Sequence, residues 1–492
     1  MPERPPRPAS LFVLLAALAG VLLLRIAVME ASGAGLYVDE AQYWDWSREL
    51  AWGYWSKPPG IAAIIAASTA IFGDGLFGVR VFSMACWVAA AFALAWTARR
   101  ASGPTAAVWA AALFVSTPTA GLLGLVATTD GPLVFCWSLA MAFSWRAWSD
   151  RERPRSVNAW WMAAGVATGC GLLSKYSMGA IAVSWLVLAW YGGRRTFTGV
   201  VLAGVVAALI ALPNVLWNAA NGWPTLFHTA AITVNSVPAT GRSHVGLFAE
   251  YVAGQVLSFG PVALGVLAVC MRRAKPMRKV FASGGDAAWF ALTFAWPILA
   301  IGAVQALHAK AQVNWTAPAL LGLCLWLALQ ADRFIAPVRA LQCAAAGVVL
   351  AAVLALAGHA QIALTGRDNL DLWARMRGWT EALEALRPSL DALPGLPVVA
   401  SRRDLISHAD YVWRSAHRPV FAWPYPGTPD NHFAQFRPLR HPGEALPQQV
   451  LLLAESGPDE AMRAAYPEWS RLASATSGRV TVQLWMGAGR RP

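Results

Sequence analysis

Residues 37–46 read Tyr37-Val38-Asp39-Glu40-Ala41-Gln42-Tyr43-Trp44-Asp45-Trp46. Two adjacent carboxylates follow the first apolar run, in a stretch crowded with aromatics. Ionisable groups at a membrane boundary are costly to hold and mark function. The chain continues through Trp52-Gly53-Tyr54-Trp55-Ser56-Lys57-Pro58-Pro59, which places a lysine beside a rigid turn. An acid pair, an aromatic belt and this lysine suit a catalytic pocket facing lipid headgroups.

Composition supports a membrane setting. The 492 residues are 57% hydrophobic and only 13% charged, against about a quarter charged in soluble domains. The 26 tryptophans fit the membrane–water interface, which indole rings favour. Net charge is +13, but the basic residues fall in short loops between apolar runs, so they read as topology signals rather than as a nucleic-acid surface. The six cysteines lie in or beside apolar runs without C-x-x-C spacing. They read as small buried hydrophobes, with no disulfide framework or zinc site.

Apolar runs at 11–29, 78–98, 104–125, 131–149, 159–173, 176–192, 197–213, 247–270, 284–304, 314–331 and 336–363 predict about 11 transmembrane helices. Ala31-Ser32-Gly33-Ala34 offers small residues for cleavage, but the long first run and the spans after it predict an uncleaved anchor. Arg4 and Arg7, Arg99-Arg100, the Arg151-to-Arg155 run, Arg194-Arg195, the Arg272-to-Lys279 run and Arg333/Arg339 then share one side, which the positive-inside rule makes cytoplasmic. Loop 30–77, the Thr128-Thr129-Asp130 turn, loop 214–246, loop 305–313 and residues 364–492 fall on the other.

Within loop 30–77, Asp39 to Leu50 predicts an amphipathic helix with Tyr43, Trp46 and Leu50 on one face, and Gly60 to Phe72 a second helix started by Pro58-Pro59. Both are expected along the membrane surface. Past Arg367 the chain gains charge and proline. Trp379 to Leu386 reads as helix, and 397–400, 449–453 and 479–485 as strands, giving a small α/β domain. The expected domains are 1–363 and 364–492. No internal repeat is visible, which weakens a transporter of duplicated halves.

For most candidate residues two readings stay open. Asp39 and Glu40 suit a base that takes a proton from an acceptor hydroxyl, or they cap the surface helix. Asp45 and Glu49 read as that helix's solvated face. Lys57 and Arg80 suit a phosphate, or they reach for headgroups. Asp130 suits substrate binding or caps the helix it begins. Lys175 runs against the charge bias and calls for an anionic partner. Trp223 and His228, in a loop with Asn214, Asn218 and Asn221, suit sugar binding, and Asn314 has similar character. His228, His244, His308 and His432 lack metal-ligand spacing and read as surface histidines.

The motifs Asp39-Glu40-Ala41-Gln42-Tyr43-Trp44, Lys57-Pro58-Pro59, Phe72-Gly73 with Gly78-Val79-Arg80, Thr129-Asp130-Gly131-Pro132-Leu133, Leu173-Ser174-Lys175-Tyr176 and Asn314-Trp315-Thr316-Ala317-Pro318 occur in this order. Together they resemble the bacterial branch of the dolichyl-phosphate-mannose–protein mannosyltransferase-like superfamily, polytopic GT-C enzymes that include the lipid A aminoarabinose transferase. The resemblance covers about residues 9–330. It implies a GT-C fold and an inverting glycosyltransferase of the bacterial inner membrane with a periplasmic active site and C-terminal domain. It implies a polyprenyl-phosphate-sugar donor and an envelope acceptor: lipid A, polysaccharide, another lipid or a protein. It assigns Asp39 as base with Glu40 beside it, and Lys57, Arg80 and Lys175 to the donor phosphate. Tyr43, Asp130, Tyr176, Trp223, His228 and Asn314 are expected to touch substrate. The aminoarabinose transferases often carry an acid before the lysine, where this chain has Ser56. No tightly held metal is therefore expected, and a weak divalent-cation requirement stays open. The competing classes are a polyprenyl-lipid flippase and a non-enzymatic envelope assembly subunit.

Overall fold

The computed structural model describes residues 8–151, 154–235, 243–273, 285–441 and 443–490. Arg4, Arg7, Arg153 and the basic run 275–279 lie outside the described residues.

The helices run α1 Pro8–Ser32, α2 Val38–Arg48, α3 Gly60–Phe72, α4 Leu76–Ala101, α5 Pro104–Ser116, α6 Pro118–Leu122, α7 Asp130–Ser149, α8 Pro154–Leu172 and α9 Ile181–Ala220. After them come α10 Pro224–Asn235, α11 His244–Arg273, α12 Gly285–Thr293, α13 Trp296–His308, α14 Ala319–Phe334 and α15 Val338–Thr365. The C-terminal part holds α16 Trp379–Asp391, β1 Val398–Ala400, α17 Arg403–Val412, β2 Val420–Ala422, α18 His432–Phe436, β3 Val450–Ala454, α19 Glu460–Ala465, β4 Glu468–Ser477 and β5 Val480–Ala488. Among the described residues each of the eleven apolar runs lies largely in helix. Among the described residues six helical segments are long and apolar enough to cross a membrane, or seven if the bent pair Pro104–Ser116 and Pro118–Leu125 counts as one span.

The chain divides into two compact units: Met1–Val28, Lys57–Ile64 and Arg80–Leu354, and Met29–Ser56, Ile65–Val79 and Ala355–Pro492. The first is a helical unit. Its interior holds Trp87, Trp109, Trp137, Trp161, Phe114, Phe290 and Phe294, all fully buried. Tryptophan here fills the core rather than only a belt at the interface. The bent pair turns by 68° at Thr117-Pro118, because proline starts α6 and the Thr117 hydroxyl accepts the Ala120 N–H at 3.3 Å. The carbonyl of Ala120 accepts from the buried Arg25 guanidinium at 2.6 Å. The two spans expected at 176–192 and 197–213 meet without a loop. The backbone leaves helical geometry only at Gly193, at φ 67°. The expected loop 214–246 is also more ordered than coil, since it carries the end of α9 and the whole of α10.

The second unit is built on a five-stranded sheet of order β2-β1-β3-β5-β4. β2, β1 and β3 pair in parallel; β5 runs antiparallel to β3 and to β4. β1 and β3 are buried throughout, as continuous apolar runs should be, while β5 alternates. Helix α16 buries Ala382, Leu383, Leu386 and Leu390, a stripe at helical spacing.

This unit also takes in Met29–Ser56 and Ile65–Val79 of the first loop, and the burial of α2 there replaces the surface-helix expectation. Its Tyr43, Trp44 and Trp46 are buried, while Leu50 lies beyond the helix end and is exposed. Trp44 packs edge-on to Tyr411 of α17 at 5.2 Å, and the Tyr411 hydroxyl donates to Asp74 O at 3.1 Å. An aromatic stripe at helical spacing fits a protein core as well as a lipid surface, and here Tyr54 and His432 pack on its Trp46.

Candidate functional site

Helix α2 starts where Tyr37 turns out of extended backbone, at φ −72° and ψ 155°. Its first free N–H groups need acceptors. Glu40, the third helical residue, supplies one: its carboxylate accepts the Tyr37 N–H at 2.9 Å, and it is 1% exposed. Capping therefore falls to Glu40. Asp39 is turned to a different partner. Its Oδ1 accepts from Arg403 Nη2 at 2.9 Å, and Arg403 Nη1 donates to Gln42 Oε1 at 2.8 Å. The Asp39 side chain stays 39% exposed, and its Oδ2 has no hydrogen-bond partner among the described residues. Tyr43, expected on the substrate, is buried and packs against Trp46 at 5.4 Å.

In the helical unit the motif turns converge. Gly60, after Lys57-Pro58-Pro59, donates its N–H to Leu173 O at 2.6 Å. A β-carbon on Gly60 would come within 2.7 Å of both Leu173 O and Ser174 Oγ, so only glycine lets the two turns touch. This seats the Lys57 turn against the segment that carries Lys175. Lys175 Nζ donates to Asp130 Oδ1 at 2.7 Å, and Asn314 Nδ2 to Asp130 Oδ2 at 2.9 Å. The anionic partner expected for Lys175 is thus a carboxylate of the chain itself. Asp130 does not cap α7: the N-cap is Thr129, and both Asp130 oxygens are engaged. A β-carbon on Gly131 would meet Ser83 Oγ at 2.7 Å, so α4 presses on this turn one helical turn beyond Arg80. Arg80 itself is 2% exposed and Lys57 is half-buried.

Beside Lys175, the Tyr176 hydroxyl donates to Asn214 Oδ1 at 2.7 Å and accepts from Asn218 Nδ2 at 3.2 Å. Asn218 Oδ1 accepts the Thr225 N–H at 3.2 Å, which ties the start of α10 to α9. Trp223 in the connecting turn has φ 60° and is exposed; His228 is half-exposed on α10. Among the described residues, no three His, Cys, Asp or Glu side chains gather as a metal site.

A family model described as dolichyl-phosphate-mannose-protein mannosyltransferase matches residues 56–217, which include Lys57, Arg80, Asp130 and Lys175. The chain is similar to enzymes of the GT-C superfamily. It is 30% identical over 332 residues to a lipid A galacturonosyltransferase of Rhizobium johnstonii, covering 65% of this chain and 66% of the relative. It is 27% identical over 376 residues to an undecaprenyl phosphate-alpha-4-amino-4-deoxy-L-arabinose arabinosyl transferase of Pseudomonas fluorescens, covering 70% and 62%. The chain spans just under two thirds of the length of these relatives. Its fold matches the crystal structure of ArnT from Cupriavidus metallidurans bound to undecaprenyl phosphate, with TM-score 0.66 at 15% identity over 96% of this chain and 97% of that one. The likeness identifies the fold, a helical bundle with a small C-terminal sheet.

Two expectations are corrected in the sheet unit. Asp45 is not on a solvated face: its side chain is 15% exposed and accepts from Arg437 at 3.2 Å, and Arg437 also holds Asp410. Burial raises both carboxyls, Asp410 to about 7. His432 is no surface histidine, since its ring packs on Trp46 at 5.2 Å and Tyr54 at 5.9 Å. Burial, with Arg437 adding to it, pushes it down to about 3. Arg403 escaped the sequence reading. Arg402-Arg403-Asp404 follows a buried strand with no motif around it, and nothing local ties it to residue 39, 364 positions away.

Proposed function

We propose that the chain is an inverting glycosyltransferase that moves a sugar from a polyprenyl-phosphate donor to a hydroxyl of an envelope acceptor. Residues 1–363 are assigned to the transmembrane catalytic domain and 364–492 to a periplasmic domain. This division follows chemistry rather than compactness, since the sheet unit also takes in Met29–Ser56 and Ile65–Val79. The proposed topology has about eleven crossings of the bacterial inner membrane, with the basic loops in the cytoplasm and the active site in the periplasm. The name of the galacturonosyltransferase relative favours lipid A as acceptor; polysaccharide, another lipid or a protein are the other candidates.

The observation that carries this reading is the seating of the Lys57 turn on the Lys175 segment through Gly60 N–H and Leu173 O, at 2.6 Å. It brings the segments carrying Lys57 and Lys175 together, which supports a shared role at a phosphate leaving group. In the proposed step the Asp39 carboxylate takes the acceptor's hydroxyl proton. The acceptor oxygen bonds to the anomeric carbon as the bond from that carbon to the phosphate oxygen breaks, and polyprenyl phosphate leaves with the electron pair. Lys57, Arg80 and Lys175 stabilise the charge that grows on it. Lys175, held at Asp130, keeps two ammonium hydrogens for this role. Glu40 holds α2 in place as a cap, and the buried Tyr43 steadies that helix from within its own unit. Tyr176, Trp223, His228, Asp130 and Asn314 are assigned to the substrate walls.

The test is transfer in reconstituted vesicles holding a polyprenyl-phosphate sugar and lipid A, read by mass spectrometry. The expected result is an acceptor heavier by one sugar and free polyprenyl phosphate. An intact donor that merely changes leaflet would establish a flippase instead. The same assay with a chelator measures any divalent-cation requirement.

A further inference from the structure

We infer that Arg403, from the sheet unit, is a positioning residue for Asp39, an inference that rests on the reading of Asp39 as the base. The guanidinium spans two side chains one helical turn apart, with Nη2 on Asp39 Oδ1 at 2.9 Å and Nη1 on Gln42 Oε1 at 2.8 Å. Gln42 is 2% exposed, so one end of the fork is anchored in the interior. The planar fork then fixes the plane of the Asp39 carboxylate. With Oδ1 held, Oδ2 is the oxygen left to receive a proton.

The arginine is itself held firmly. It is the first residue of α17. His408 on that helix stacks on Trp379 at 4.0 Å and brings Nε2 within 3.2 Å of Leu36 O, just before α2. Tyr411, further along, bonds Asp74 O. Arg402 turns away to Asp404 and Glu455, so Arg403 alone of the pair serves α2. A pure stability role explains this less well, because the Asp39 and Arg403 side chains are 39% and 42% exposed and such pairs add little to folding.

The experiment is transfer by Arg403→Ala, with and without added guanidinium ion, beside Arg403→Lys, Asp39→Asn and the double variant. Arg403→Ala is expected to lose about 10²-fold in kcat, the scale of a misplaced catalytic group, with donor KM nearly unchanged. Guanidinium should restore part of the rate. Arg403→Lys should not restore it, since one ammonium on a flexible stem cannot reproduce the fork. In the Asp39→Asn background, adding Arg403→Ala should cost less than about 2-fold, because the two residues act as one. Native kcat in Arg403→Ala, a faster enzyme, or equal losses in both backgrounds would overturn the inference. If Arg403→Ala does not fold, Gln42→Met removes one arm of the fork and must still lower kcat; native kcat there also overturns it. The two failures are distinguishable. Turnover retained by Asp39→Asn sinks the base assignment, whereas an inactive Asp39→Asn beside a fully active Arg403→Ala sinks only the clamp.

Discussion

Asp39 and Asp130 are both motif aspartates beside a helix start, yet their surroundings differ. Asp130, in the helical unit, has a side chain only 3% exposed, and Lys175 and Asn314 take one oxygen each. Asp39, in the sheet unit, is 39% exposed and gives one oxygen to Arg403. A buried carboxylate with both oxygens engaged holds a structure together, because its charge needs those partners to remain buried. A carboxylate with one oxygen open can accept a proton. The contrast divides the labour between two residues that look alike in sequence.

The widest effect expected is on rate. Asp39→Asn should cost about 10²–10⁴ in turnover, the range of a positioned base. Its melting midpoint should stay near native, since an exposed pair contributes at most about 1 kcal/mol. The vesicle assay and a thermal melt in detergent check the two halves. Near-native transfer would erase the distinction.

Asp130→Asn should do the reverse in kind. It takes the buried carboxylate away from the Lys175 ammonium, whose side chain is 15% exposed, and is read as a lowered melting midpoint. An unchanged midpoint would show that Asp130 is not the structural member of the pair.

A third test uses pH in the sheet unit. Asp410 is raised from its ordinary 3.8 to about 7, so the folded state binds its proton more tightly than the unfolded chain. The associated stability is complete below about pH 4 and is lost as pH rises towards 7. His432 is lowered from 6.5 to about 3, so its contribution is lost as pH falls through that window, the opposite slope. Asp410→Asn should therefore leave a melting midpoint that falls more steeply on acidification than in the native protein. An identical pH profile would show that Asp410 does not titrate in this range.

The smallest effect belongs to Arg48–Asp74, at 3.0 Å with side chains 37% and 40% exposed. Arg48→Ala should change stability by less than about 1 kcal/mol. A larger loss, seen by denaturant titration, would mean that exposed pairs in this unit carry more than their solvation allows, and would count against reading Asp39–Arg403 as functional.

Much of the bundle was legible because apolar length is a local property. The apolar runs lie largely in helix, two of them merged in α9, and β1, β3 and β5 lie where apolar patterning put them. The candidates Asp39, Lys57, Arg80, Asp130, Lys175 and Asn314 were legible through their motifs. Strand β4 was missed because Glu468 to Ser477 is an exposed edge strand with no apolar alternation. The setting of α2 was misread because a buried aromatic stripe and a lipid-facing one have the same spacing.

The amino-acid sequence by itself determined which segments are apolar enough to become helices and which residue types are available for chemistry, because solvation and backbone preference act over a few residues. Only the tertiary structure decided that Glu40 caps α2 while Asp39 faces Arg403, that Lys175 meets Asp130, that Asp45 pairs with Arg437, and that His432 packs on Trp46. The physical reason is that burial and ion pairing depend on partners far away in the chain, whose approach no local pattern encodes.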